Sequence, residues 1–495
     1  MRNLILFCGI FMGTAGLLVL QLLLLKGVVF PEKALPVVLI AGLVLTVFFF
    51  LRREPLRWLR GNFFTLTSLF LLSFLIVSFQ VAWDFFLDSP LNFGRYFESE
   101  DLLIKSVTFS CVCLGFFLCG YFGTIFCSSV RSKENPAAIP VKLPDDHTAE
   151  VTPLVIIAVV LSVLFLLSVD KSYLHGGYSD GMNSAADRLD GYLNRFIYMV
   201  IIQIVWNARV SHDGARMTLR KYLRLFPLPF YAVLLAKLSV VLASGDRGPL
   251  ISIMTILVFG YLLLARRRLG LPMMVCGVLA CGMLLSIFKL SGGFGGEGDF
   301  SQNFKAAADR LSQKDVMSSV SPYTLELAGS IHAHTVLYEA WENGETYPGI
   351  PLIAGTVNCI PAGVTLVSML FGLHKSQLNT AELATEIAGT HFGLGTTCAG
   401  DALATLGLFG AYLLFFGMGV LFRHSDVLAG TEDSPGRYPL FIILFLLLTG
   451  IIRLPRGSII VYCGEFLFCW SVLELNILLS HFKQRKRITA KNEKA

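Results

Sequence analysis

The chain has 495 residues, 55% of them hydrophobic and only 15% charged, with a mean hydropathy of +0.68. Soluble domains carry about 25% charged residues, so this composition excludes a secreted or cytosolic enzyme and leaves little room for a separate water-soluble domain. The net charge of +6 matters through its placement. Most of the eleven cysteines fall in apolar runs, where they read as small hydrophobes rather than as a disulfide framework.

Apolar runs between charged breaks predict an all-α polytopic membrane protein of about twelve transmembrane helices, over 3–25, 35–51, 62–83, 105–127, 151–169, 192–208, 225–243, 249–265, 270–290, 402–422, 438–452 and 457–480. The first run is too long for a signal-peptide core and reads as a retained helix. Three regions result: 1–290 with nine spans, a loop over 291–401, and 402–495 with three spans and a basic tail. The amino terminus, the alternate segments 52–61, 128–150, 209–224, 266–268 and 423–437, and the 481–495 tail together carry twice as many Lys and Arg as the segments between them. That bias predicts cytoplasmic termini and an outer face holding the 291–401 loop.

The outer loop opens with Ser291-Gly-Gly-Phe-Gly-Gly-Glu-Gly298, a flexible hinge by composition. Over 323–340, Leu325, Ala328, Ile331, Val336 and Ala340 fall on one helical face, which predicts an amphipathic helix. Residues 349–372 are apolar, but Pro351, Pro361 and their glycines predict a re-entrant or surface-lying piece rather than a thirteenth span.

Charged groups at a membrane need a reason, since each costs about 2.5–3.5 kcal/mol at a helix centre. Ser244-Gly-Asp-Arg-Gly-Pro-Leu250 forms an outer turn in which Arg247 stands among free backbone N–H groups, a seat for phosphate or a snorkelling contact to headgroups. Arg453-Leu-Pro-Arg-Gly457 forms a second such turn, bearing Arg453 and Arg456, and Arg195 at the start of the sixth span is a further cation. Two outer arginine turns point to an anionic ligand, a diphosphate or lipid headgroups. Asn379 to Asp401 then gathers Glu382, Glu386, His391, Thr396, Thr397 and Asp401 at the mouth of the tenth span. Asp401 either complements that helix start or, with His391 and Glu386, supplies a base for a sugar hydroxyl.

No phosphate-binding loop and no Asp-x-Asp pair is present, so neither ATP, a nucleotide-sugar metal nor any other cofactor is expected, and nothing suggests nucleic acid. His332 and His334 are two apart and do not align on a helix as a zinc pair. Cys359 and Cys398 are the outer-loop cysteines, and a disulfide between them is open.

The ordered trio of Gly245-Asp-Arg-Gly248, then Asn379-Thr-Ala with Glu386, Gly393-Leu-Gly-Thr-Thr397 and Leu406-Gly407, then Arg453 to Gly457 resembles the Wzy-type oligosaccharide repeat-unit polymerases, which make O-antigen and enterobacterial common antigen. The likeness covers roughly 150–480; the first third shares only its apolar character. The resemblance implies a GT-C-like glycosyltransferase of the bacterial cytoplasmic membrane, joining polyprenyl-diphosphate-linked repeat units on its outer face. It implies that Arg247, Arg453, Arg456 and Arg195 contact diphosphates, that Asp401, His391 or Glu386 is the base, and that Asn379, Thr396 and Thr397 touch substrate. A flippase and a chain-length regulator would be partners. The alternatives are a ligase-like transferase with the same donor, or a transporter of lipid-linked oligosaccharide; a transporter would place charges mid-span, where Lys237 is the only clear one, and the clustering of charges on one face favours an enzyme.

Overall fold

The computed structural model describes residues 2–131 except 55 and 57, 147–174, 183–211, 217–244, 248–280 except 278, 305, 309, 319–390 except 361, 393–430, and 437–492 except 452. Among these the secondary structure is helical, without strands. In chain order the helices of eight residues or more are α1 (Arg2–Leu25), α2 (Pro31–Phe50), α3 (Leu66–Phe86), α4 (Glu100–Arg131), α5 (Thr152–Ser168), α6 (Ser184–Ser211), α7 (Leu228–Ser244), α8 (Gly248–Leu264), α9 (Ile331–Glu342), α10 (Ile350–Val357), α11 (Gly363–Phe371), α12 (Thr380–Ile387), α13 (Cys398–Gly430), α14 (Tyr438–Thr449) and α15 (Val461–Asn492).

Six of them, α1, α2, α3, α4, α13 and α15, are long and apolar enough to cross a bilayer; α5, α7, α8 and α14 are shorter apolar helices. The protein is therefore membrane-embedded. Helices overlap all twelve apolar runs; of the ninth, 271–277, 279 and 280 are helical, and 278 and 281–290 lie outside the described residues. Fewer reach spanning length than the runs suggested: α5, α7 and α8 have 17 residues each and α14 has 12. Helix α6 overlaps the sixth run, but its first turns carry Asp187, Arg188 and Asp190.

The chain divides into two compact units, 1–140 with 311–430 and 451–464, and 141–310 with 431–450 and 465–495. In the first unit α4 and α13 pack most closely. Gly120 lies against the Phe416 carbonyl and Gly419 against the Phe117 carbonyl, with no room for a Cβ at either place. Small residues let two membrane helices bring their backbones together, and the dispersion attraction between them replaces a hydrophobic force that lipid does not supply. Phe70, Phe117 and Phe422 close this core, with ring centroids 5.0–5.4 Å apart.

One end of the same unit holds a buried ion cluster. Arg423 donates to both oxygens of Glu54 at 2.8 and 2.9 Å, and Arg52 Nε donates to Glu54 Oε1 at 2.9 Å. Burial alone would push the Glu54 carboxyl up, but Arg423 and then Arg52 outweigh it and hold it below the usual carboxylate range. At the amino-terminal side of α13, α3 clamps the loop that precedes α9: Asp84 accepts from Ser319 Oγ (2.8 Å) and the Val320 amide (2.6 Å), while Gln80 Nε2 donates to Ser321 O at 2.7 Å.

The 323–340 stretch is helical as expected, broken at Gly329-Ser330 into a single turn over 325–328 and then α9, with Leu325, Ala328, Ile331, Val336 and Ala340 all buried. In place of a thirteenth span, 349–372 folds as the short helices α10 and α11. The 291–298 hinge lies outside the described residues.

In the second unit Trp206 packs on Tyr438 and Phe441, with centroids 4.9 and 5.0 Å away, and Tyr438 donates to Gln203 Oε1 at 2.7 Å. Lys237 is buried in α7 and pairs with Asp190 of α6 while lying 5.0 Å from the centre of the Phe165 ring. Asn194 donates to the other Asp190 oxygen at 2.9 Å. The mid-span charge is thus neutralised by a partner within the unit.

Candidate functional site at the start of α13

Thr397 caps α13: its hydroxyl accepts from the Gly400 amide at 3.0 Å. That leaves Asp401, in the first turn, free for longer-range contacts. Thr380 Oγ1 donates to Asp401 Oδ1 at 2.6 Å; Ser458 Oγ (2.9 Å) and the Ile459 amide (3.0 Å) donate to Oδ2. The Cys398 amide adds a bond to Pro455 O at 3.1 Å. One buried carboxylate therefore ties together α12, α13 and the chain that leaves the Arg453–Gly457 turn.

The turn itself is closed by the Arg456 amide, which donates to Arg453 O at 2.9 Å. Leu454 and Pro455 are buried, whereas Arg453 is exposed and Arg456 half-buried. Apolar residues at the middle of the turn hold it down and leave the two guanidinium-bearing residues at its ends.

Helix α12 starts at Asn379, whose side chain caps it by accepting from the Ala381 amide at 3.0 Å. Its buried face, Leu383 and Ala384, packs with Val336, Leu337 and Ala404. This packing turns Glu382 and Glu386 outward. They line a recess of about 580 Å³ with Tyr347, His374, Lys375, Ser376, Gln377, Thr385, Gly389 and Thr390. The volume is within the roughly 300–1,000 Å³ of small-molecule sites. The walls offer carboxylates, an amine, an imidazole, hydroxyls and one aromatic face, a set suited to a polyhydroxylated ligand.

The residues singled out in the sequence separate accordingly. Asp401, Thr397, Thr396 and Asn379 come together, but as fold-holding groups: Asp401 is 1% exposed with both oxygens engaged, Thr397 and Asn379 are caps, and the Thr396 hydroxyl donates to Thr397 O at 3.3 Å. Of the two base candidates among the described residues, Glu386 is exposed at a recess and Asp401 is buried. His391 and Arg247 lie outside the described residues. Arg195 belongs to the second unit, where its guanidinium lies 5.2 Å from the Phe468 ring centre and 5.6 Å from that of Tyr192. Cys359 and Cys398 are both free thiols.

Sequence reasoning missed His374 and Lys375 at the recess. It also missed the burial of His334. The His334 Nε2 lies 2.9 Å from Ser110 Oγ and 3.0 Å from Ser106 O, anchoring α9 to α4. Burial lowers its pKa to about 4, against a smaller opposing effect of the Ser106 carbonyl, so the ring is neutral and structural.

Comparison of the chain with protein families, with curated proteins and with solved structures gives no match in any of the three. The site is therefore read from its own chemistry.

Proposed function

We propose that this protein is a membrane glycosyltransferase that polymerises polyprenyl-diphosphate-linked oligosaccharide repeat units on the outer face of a bacterial cytoplasmic membrane. The reading rests on the sequence resemblance, and one structural observation carries it furthest: Asp401 binds the segment that leaves the Arg453–Gly457 turn to α12, the helix that presents Glu386. A cationic turn and an exposed carboxylate are thus held in one framework.

In this proposal Arg453 and Arg456 contact the diphosphate of the donor, where guanidinium groups give charge-assisted, two-toothed hydrogen bonds. A hydroxyl oxygen of the acceptor unit bonds to the donor's anomeric carbon as the bond from that carbon to the diphosphate oxygen breaks. Polyprenyl diphosphate leaves with the electron pair, its charge stabilised by the arginines. Glu386 takes the hydroxyl proton. The donor is already activated, so ATP and a nucleotide have no part. Asp401 acts as a positioning residue. Arg195 and Arg247 are the other candidates for anion contact and are to be tested separately.

Deleting the gene is the direct cellular test. Surface glycan reduced to single repeat units supports polymerisation; glycan of normal length, or loss of even the single unit, contradicts it.

A further inference from the structure

Between Glu345 and Lys375 the chain has no Asp, Glu, Lys or Arg. That interval contains α10 and α11, and its large apolar side chains face outward: Ile353, Ile360, Leu366, Met369, Leu370 and Phe371 are all more than half exposed, Met369 at 77% and Phe371 at 71%. In a water-facing loop such a surface would be a liability, because monomers rarely leave a contiguous apolar patch uncovered.

The attachment of the two helices indicates what covers it. The Gly349 amide donates to Thr405 O at 2.7 Å, and Thr405 lies seven residues into α13, beside the kink at Gly407. At a rise of 1.5 Å per residue that is about 10 Å below the start of a membrane-spanning helix. Six residues further, Gly355 lies against Ile460, and its carbonyl lies against Gly464, in the first turn of the spanning helix α15. Neither glycine has room for a Cβ, so the close approach is built into the sequence. The root of α10 is therefore fixed to the first two turns of α13 and the first turn of α15, two helices long and apolar enough to span a bilayer.

The geometry points to immersion of α10 and α11 in the bilayer, with Met369, Leu370 and Phe371 among the acyl chains and His374-Lys375 at the headgroup level. Helices that lie in an interface bury an apolar face about 5–10 Å deep and keep their polar residues at the headgroups. The turn between them suits this arrangement. Ala362 adopts a left-handed conformation (φ 61°) and the Gly363 amide donates to Ile360 O at 2.9 Å, so the chain reverses with few unpaired backbone groups. The inference does not depend on the proposed polymerase activity.

The test uses the full-length protein in vesicles of phosphatidylethanolamine and phosphatidylglycerol, with a benzophenone amino acid placed in turn at Met369, Leu370 and Phe371. These side chains are exposed, so the substitution leaves the packing intact. The same amino acid at Glu382, on the outward face of α12, is the control. Irradiation is predicted to give lipid adducts by mass spectrometry at 369–371, at least tenfold above the level at 382. Crosslinking mainly to a second copy of the chain, or a lipid yield at 369–371 no higher than at 382, would overturn the inference.

Discussion

The Ser458 hydroxyl donates to Asp401 Oδ2 at 2.9 Å, joining residues 57 positions apart. Together with the bonds from Thr380 and Ile459, it makes Asp401 the point at which the arginine turn is fixed to α12 and α13. Asp401→Ala would leave the buried Thr380 hydroxyl and Ile459 amide, and the part-buried Ser458 hydroxyl, without this acceptor, at about 1–3 kcal/mol for each buried group. A marked drop in melting temperature in detergent is expected, with Asp401→Asn intermediate because one oxygen remains. Unchanged melting of Asp401→Ala together with complete loss of activity would instead make Asp401 a catalytic base.

Glu386 provides the contrast. Its side chain is exposed at the recess, so Glu386→Gln should leave the melting temperature within a degree or two. Loss of a general base is expected to slow glycosyl transfer by about 10²–10⁴-fold. Glycan length in cells at matched protein level is the readout, and a normal ladder would remove Glu386 from the reaction.

Arg456→Ala and Arg453→Ala should each shorten glycan without loss of membrane insertion. A charge-assisted hydrogen bond is worth about 1.5–3 kcal/mol, or roughly 10–10²-fold in rate. Lys at either position should restore activity only in part, since an ammonium lacks the planar fork of guanidinium. Full rescue by Lys would reduce the role of the turn to bulk charge.

The Glu54–Arg423 pair is a stability element. Arg423→Ala strips a buried carboxylate of its main partner and is expected to cost about 3–5 kcal/mol. Thermal melting of the purified variant checks this, and Arg423→Met in a Glu54→Gln background should recover part of the loss because no uncompensated charge remains.

Acid should destabilise the protein in two stages. His334 titrates near 4 when folded and at its ordinary 6.5 when unfolded, so the unfolded chain binds the extra proton between those values. Stability is therefore lost as pH falls from about 6.5 to 4, by on the order of 3 kcal/mol at most for this one group. Glu54, held below its ordinary 4.5, adds a further loss as pH falls below that value toward its folded pKa. Melting curves from pH 7 to 4 should show the first stage in the wild type and a flatter profile in His334→Gln.

The membrane helices were legible because a span leaves a local record: long apolar runs ended by charge, each of which a helix overlaps among the described residues. The buried face of 325–340 was legible for the same reason, its periodicity being local. The break at Gly329-Ser330 was not. Nor were the contacts that build the site. Asp401 with Ser458, Asp84 with Ser319, and Gly355 with Gly464 join segments far apart in the chain through single side chains or their absence, and leave no periodic pattern. The Asn379–Asp401 segment showed that polar groups gather there. It did not show which of them are spent on capping and bridging, and burial distinguishes Asp401 and Thr397 from Glu386.

The most direct measurement is turnover by the purified protein, reconstituted in vesicles with a polyprenyl-diphosphate-linked repeat unit as the sole substrate. The account predicts products of two, three and more repeat units on one polyprenyl diphosphate, one polyprenyl diphosphate released per unit joined, and strong suppression by Glu386→Gln. Repeat units that remain single, whether left in place or only moved between leaflets, would contradict it.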